Sequence, residues 1–203
     1  MTQQRRTAAS LQVLCLALLA ACLPAAADMF VDRSIVVFEP GSSTREDVKI
    51  NNTGEDNLFI KVEVRAILNP GQPDESRVVV TNPREHQMIV TPSQLVVPPG
   101  GQKLIRLVNL KPSNADERIY RVTVTPVVPP LAEGESQLRI VVAYEILAIV
   151  QPDEPRAQLA ASRRGNVITF SNTGNSNVLL SDGSQCAPDN ADECSDLSAH
   201  RLY

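Results

Sequence analysis

The segment NLFIKVEVRAIL, residues 57–68, most constrains the fold. Leu58, Ile60, Val62 and Val64 fall on one face of an extended chain, and Lys61, Glu63 and Arg65 fall on the other. That period of two predicts a strand with one buried and one wet face. Further β-rich segments follow the same habit: FVDRSIVVFEP, REDVKINNTG, RVVVTN, MIVTPSQLVVPPGG, KLIRLVNL and RIYRVTVTPVVPP. Turn signals separate them, such as Pro40-Gly41 and Asn52-Thr53-Gly54. Strands at roughly 8–12-residue spacing predict an all-β sandwich or barrel.

The amino-terminal residues follow a different rule. Arg5 and Arg6 precede an apolar run, Leu11 to Leu23, which ends in Ala25-Ala26-Ala27. This is the pattern of a secretory signal peptide over residues 1–27, with cleavage between Ala27 and Asp28. Its removal leaves 17 Lys and Arg against 23 Asp and Glu, a charge of about −6. Without a basic stripe, a nucleic-acid partner is not expected. The tetrapeptide LAAC, ending at Cys22, is similar to a lipoprotein acylation box. The second reading of Cys22 is a small apolar residue of the signal segment, and the Ala-rich cleavage site just beyond favours it.

The segment SQLRIVVAYEILAIV, residues 136–150, has eleven apolar residues out of fifteen. It is too short to span a bilayer as a helix, which takes roughly 20. QPDEPR, residues 151–156, then reads as a linker. The chain thus divides into a first β region, 28–150, and a second, 157–203. The second has about 47 residues, against about 100 for a full immunoglobulin-like sandwich, and is expected to be incomplete. Its two cysteines, Cys186 and Cys194, are an even pair in an exported chain and read as a disulfide. A metal site is the alternative. It needs about four ligands, and His200 is the one nearby candidate besides carboxylates.

No catalytic constellation assembles. His86 and His200 lie in different regions, and no G-x-S-x-G, H-E-x-x-H or phosphate-binding glycine loop is present. Asp116 and Glu117 beside Arg118 read as a solvated or ion-paired turn. An enzyme and a cofactor are not expected.

The combination of TPSQLVVPPGGQKLIRL with ERIYRVTVTPVVPP, a long apolar strand ending at Gln151-Pro152, and a shorter second β region resembles the periplasmic PapD-like chaperones of chaperone–usher pili. It is nearest to the alpha-type fimbrial chaperones. The resemblance covers essentially the whole chain after the signal segment. It implies two immunoglobulin-like sandwiches, a periplasmic location, pilin or fimbrial subunits and an outer-membrane usher as partners, and no stable membrane insertion. It also implies donor-strand complementation, in which residues 136–150 lend a strand to an incomplete subunit. Aligning Pro152 with the proline that ends that strand in the family places Leu138, Ile140 and Val142 at the donor positions. Tyr144 and Ile146 continue the same face. PapD-type relatives hold the subunit carboxylate with an Arg and a Lys. The matching positions here are Ile35 and Leu147, neither of which can do so. Arg33 is then the candidate anchor, with Arg65 and Lys61 as weaker ones. The alternative reading is an exported structural β-sandwich protein, pilin-like or a surface lipoprotein.

Overall fold

The structure, a computed structural model, describes residues 28–128, 141–187 and 190–203. The signal segment, with Ala27, lies outside these residues. Two sheets are built from residues 29–150. β1 (Met29–Val31), β3 (Arg45–Asn52), β6 (Met88–Thr91) and β8 (Gln102–Asn109) form an antiparallel sheet in the order β1-β3-β8-β6. β2 (Ile35–Phe38), β10 (Tyr144–Val150), β9 (Arg118–Pro126) and β4 (Leu58–Leu68) form the second, with β5 (Ser76–Val79) and β7 (Gln94–Val97) sharing the far edge of β4. Its pairs are antiparallel except β2 with β10, which is parallel. One short helix, α1 (Pro83–His86), is capped by the Asn82 side chain.

The core follows from alternation. Ile60 and Val62 of β4, Val122 and Val124 of β9, and Ile146 and Ala148 of β10 meet Val48, Ile50, Ile105 and Leu107 of the other sheet. Leu58 and Val64 pack at the margin of this cluster, so all four apolar residues of the β4 pattern face inward. On the opposite face of the larger sheet, Ile67, Ile119, Leu147 and Ile149 form a second, smaller cluster on which Tyr203 packs. On the outside of the smaller sheet, Arg106 donates to both carboxylate oxygens of Asp47 at 2.7 Å each. These hydrogen bonds hold Asp47 below its usual carboxylate range.

The segment read as one strand, Phe30 to Phe38, is two. The chain changes sheets at residues 32–34. The Asp32 amide donates to the Lys49 carbonyl and its carboxylate accepts from the Lys49 amide, which closes the β1–β3 ladder. The chain then turns to lay Ile35–Phe38 beside β10. A corner of this kind lets one short segment edge both sheets of a sandwich.

The second region is also β. β11 (Leu159–Arg164) pairs β12 (Val167–Asn172), β13 (Val178–Leu180) pairs β16 (His200–Leu202), and β14 (Ser184–Ala187) pairs β15 (Asn190–Asp196). Among the described residues no ladder joins these three sheets, and most of their side chains are exposed. Cys186 and Cys194 are register partners joined by a disulfide. Among the described residues, no helix is long and apolar enough to cross a membrane.

The turn Asn175–Asn177 fastens this region to the first. Glu117 accepts from the Ser176 hydroxyl, the Asn177 amide and Asn177 Nδ2. Asn175 Nδ2 donates to the Ala115 and Glu154 carbonyls, and Asn175 Oδ1 accepts from the Arg156 amide. The approach is so close that a Cβ on Gly174 would collide with the Arg156 carbonyl. Glu117 is therefore an acceptor at a seam and not the solvated turn its neighbours suggest. Ser176 is buried there, so Glu117→Ala leaves donors without partners. It is expected to lower stability by about 1–3 kcal/mol and to speed proteolysis within residues 151–158, measured by denaturant unfolding and by limited digestion.

Asp47 supplies a second test. Its lowered pKa means that its contribution is complete above the ordinary Asp range and is lost as pH falls through the lowered value. Unfolding midpoints of the native chain and Asp47→Asn are expected to differ near neutral pH, to converge on acidification, and to approach each other in high salt.

Candidate subunit-binding site

β10 is two things in one strand. Its alternate residues Tyr144, Ile146, Ala148 and Val150 point toward the sandwich. Ile146, Ala148 and Val150 are buried within it, while Tyr144 sits at the rim and donates its hydroxyl to the Met29 carbonyl at 2.9 Å. Before Tyr144 the core ends. Val141 and Val142 lie outside any ladder and are 46% and 49% exposed. On one side β10 pairs with β9 from Tyr144 onward. On the other, the β2 ladder covers only Leu147 to Val150. Among the described residues no strand pairs with that second edge of Tyr144–Ile146. An apolar, partly unpaired edge is a template for strand addition.

Of the five residues expected on the donor face, Val142 is exposed on this edge. Leu138 and Ile140 lie outside the described residues. Ile146 needs correction: it is completely buried in the chain's own core, and no partner could reach it without unfolding the sandwich. Tyr144 marks the border, half-buried and tied to β1. The inward parity of β10 is continuous, but what lies beneath it changes from the second sheet to solvent. Period-two reasoning reads the parity and cannot read where the opposing sheet stops.

The anchor expectation also changes. Arg33, two residues before Ile35, would share its face if both lay on one strand. It stands instead in the corner before β2, where Nη1 donates to Glu46 at 3.1 Å. Lys61 and Arg65 both pair with Glu63, Lys61 at 3.6 Å. Ile35 and Leu147, the positions that lack the expected charges, are direct register partners across the parallel pair. The row continues through Arg121 to Arg65. Arg121 is thus the cation beside Leu147, on the sheet face turned away from the core. Its Nε lies 3.5 Å from Glu145, which Arg77 also approaches at 3.4 Å. Sequence reasoning missed Arg121 because its place beside Leu147 comes from pairing between distant segments. The available signal was local: Arg121 and Thr123 alternate with Val122 and Val124 and so belong to the wet face of β9.

Comparison with known proteins follows from this geometry. Residues 29–156 match the family model described as pili and flagellar-assembly chaperone, PapD N-terminal domain. A CS1 fimbrial protein of Escherichia coli is 31% identical over 164 residues, covering 76% of this chain and 67% of that protein. A CFA/I fimbrial protein of Escherichia coli is 29% identical over 157 residues, covering 73% and 65%. This chain therefore spans about two thirds of the length of each relative. Among solved structures, the class 5 fimbriae chaperone CfaA superposes with a TM-score of 0.63 at 26% identity, covering 86% of this chain and 82% of that one.

The division of β10 predicts opposite behaviour for two neighbours on one face. Ile146→Ala is expected to destabilise the free protein by about 2–5 kcal/mol. Val142→Ala is expected to change it by no more than about 0.5 kcal/mol. Urea unfolding of the two variants distinguishes them.

Proposed function

Because this chain belongs to the pili and flagellar-assembly chaperone family of the PapD type, we propose that it protects fimbrial subunits by lending them the exposed beginning of β10. The family is one of non-enzymatic periplasmic chaperones. In this reading the signal segment 1–27 directs export and is cleaved between Ala27 and Asp28. The partners are pilin or fimbrial subunits and an outer-membrane usher that receives them.

The observation that supports the reading best is the exposed, unladdered Val141-Val142 pair leading into a strand whose later residues are core. Such an arrangement gives a rigid handle and a free apolar edge. Main-chain groups of the edge pair with the guest, while Val142, with Leu138 and Ile140 before it, enters the guest's groove. Burial of each aliphatic side chain is worth roughly 1.5–3 kcal/mol, so a few of them hold a guest without any nucleotide. Release then needs only a better-fitting strand from the next subunit.

The carboxylate at the end of the guest is assigned to Arg121. It is the register partner of Leu147, and its present partner Glu145 is shared with Arg77. A guest carboxylate can therefore take Arg121 while Arg77 keeps Glu145 neutralised. Arg65, one strand further, is the secondary partner. Arg guanidinium suits this role because it can bind a carboxylate with two parallel hydrogen bonds.

The test is co-expression with the neighbouring fimbrial subunit. Ile140→Asp combined with Val142→Asp is expected to weaken the complex at least about a hundredfold, each lost aliphatic contact counting roughly 1.5–3 kcal/mol. A subunit that still accumulates and co-purifies with that variant would falsify the donor reading. Separately, Arg121→Ala is expected to weaken binding about ten- to hundredfold for a guest with a free carboxyl terminus, from roughly 1.5–3 kcal/mol per charged hydrogen bond. It is expected to change little for a guest extended past its natural end. Equal loss for both guests, or none for either, removes Arg121 as the anchor.

A further inference from the structure

We propose that Tyr144 is a positioning residue for the donor strand: its hydroxyl latches the root of the free segment to β1, on the other sheet, and so fixes the direction in which Val142 meets a guest. The proposal rests on the donor-strand reading and names the residue that makes the donor rigid. Tyr144 is the first residue of β10. From it onward the strand is held by the β9 ladder, and from Leu147 by the β2 ladder as well. Ahead of it Val141, Val142 and Ala143 are exposed and in no ladder. The direction of such an arm is set by the last residue that is held. Among the described residues, Tyr144 and Glu145 are laddered on one side of the backbone only, so a side chain must supply the second hold.

The chemistry of β1 explains why that side chain is a tyrosine. The Asp28 carbonyl accepts from the Thr53 amide, and the Asp32 amide donates to the Lys49 carbonyl, so both groups turn toward β3. Main-chain groups alternate sides along a strand. Those of Met29 and Val31 therefore turn to the opposite, open edge of β1. Met29 is 3% exposed, and a buried carbonyl without a donor is costly. The Tyr144 hydroxyl reaches that carbonyl at 2.9 Å, while its ring packs against the margin of the core. Tyrosine supplies both the apolar body and the polar tip that this place needs. The bond spans 115 positions of sequence. It joins the edge strand of the smaller sheet to the bare edge of the larger one, where the core ends.

A guest that adds a strand to an edge loses binding free energy to any disorder of that edge. Without the latch, only a fraction of the molecules hold the arm in the receptive direction, and the apparent affinity falls by that fraction. The loss belongs to association. Once a guest is paired along the edge, its own ladder holds the arm.

The test uses the purified chain and the fimbrial subunit with which it is co-expressed, and compares the native protein with Tyr144→Phe and Val142→Asp. Tyr144→Phe keeps the ring and removes the latch. It is expected to lower the association rate about three- to tenfold, the range set by one net hydrogen bond. The dissociation rate is expected to stay within about twofold of native. A nitroxide attached at Val142→Cys in the free protein is expected to give a more mobile spectrum when Tyr144→Phe is added. Unchanged rates and an unchanged spectrum, with only a lowered unfolding midpoint, mean that the hydroxyl serves the fold alone and overturn the proposal. A loss confined to the dissociation rate also overturns it, because the hydroxyl then touches the guest. Native-like binding by Val142→Asp removes the donor reading and the latch with it. Loss of binding by Val142→Asp beside native-like binding by Tyr144→Phe removes the latch and leaves the donor reading standing.

Discussion

Ile146, Ala148 and Val150 fasten β10 into the core of the first sandwich, and the rest of the proposed mechanism hangs from that attachment. A strand lent to another protein must not drift, because ordering it on contact would consume binding free energy. Three buried aliphatic positions, a parallel ladder to β2 and an antiparallel ladder to β9 hold its second half. Val141 and Val142, just before β10, are exposed and outside any ladder. What changes along the strand is only what lies underneath: the partner sheet at Ile146, solvent at Val142.

The larger sheet distributes its chemistry in bands across the strands. At one rim is the apolar row through Phe59 and Val127. Next come the pairs centred on Glu63 and Glu145, then the row of Arg65, Arg121, Leu147 and Ile35. At the far end Ile67, Ile119 and Ile149 lie near Tyr203. Each band collects residues from segments far apart in the chain. Only pairing makes them neighbours.

Much of the fold was legible in the sequence because alternation is local. The inward set Leu58, Ile60, Val62 and Val64 follows from β4 alone, and the cysteine pair follows from number and compartment. What escaped depends on where distant segments meet. The break at Asp32 is invisible in a run of β-forming residues, since it arises from the Lys49 backbone across the sheet. The place of Arg33 in that corner beside Glu46 is hidden for the same reason. Ile146 was placed on a binding face because parity does not report the edge of the opposing sheet. Glu117 looked like a surface acid, and its partners Ser176 and Asn177 stand some sixty positions away.

The corner at residues 32–34 has a consequence for how the chain acquires its shape. Ile35–Phe38 can complete its ladder only with Leu147–Val150, from the opposite end of the first region. A polypeptide that appears amino-terminus first must wait for nearly all of that region before the larger sheet can close. Long-range closure of this kind slows folding. The same requirement makes a holder of unfinished subunits a late finisher of its own larger sheet.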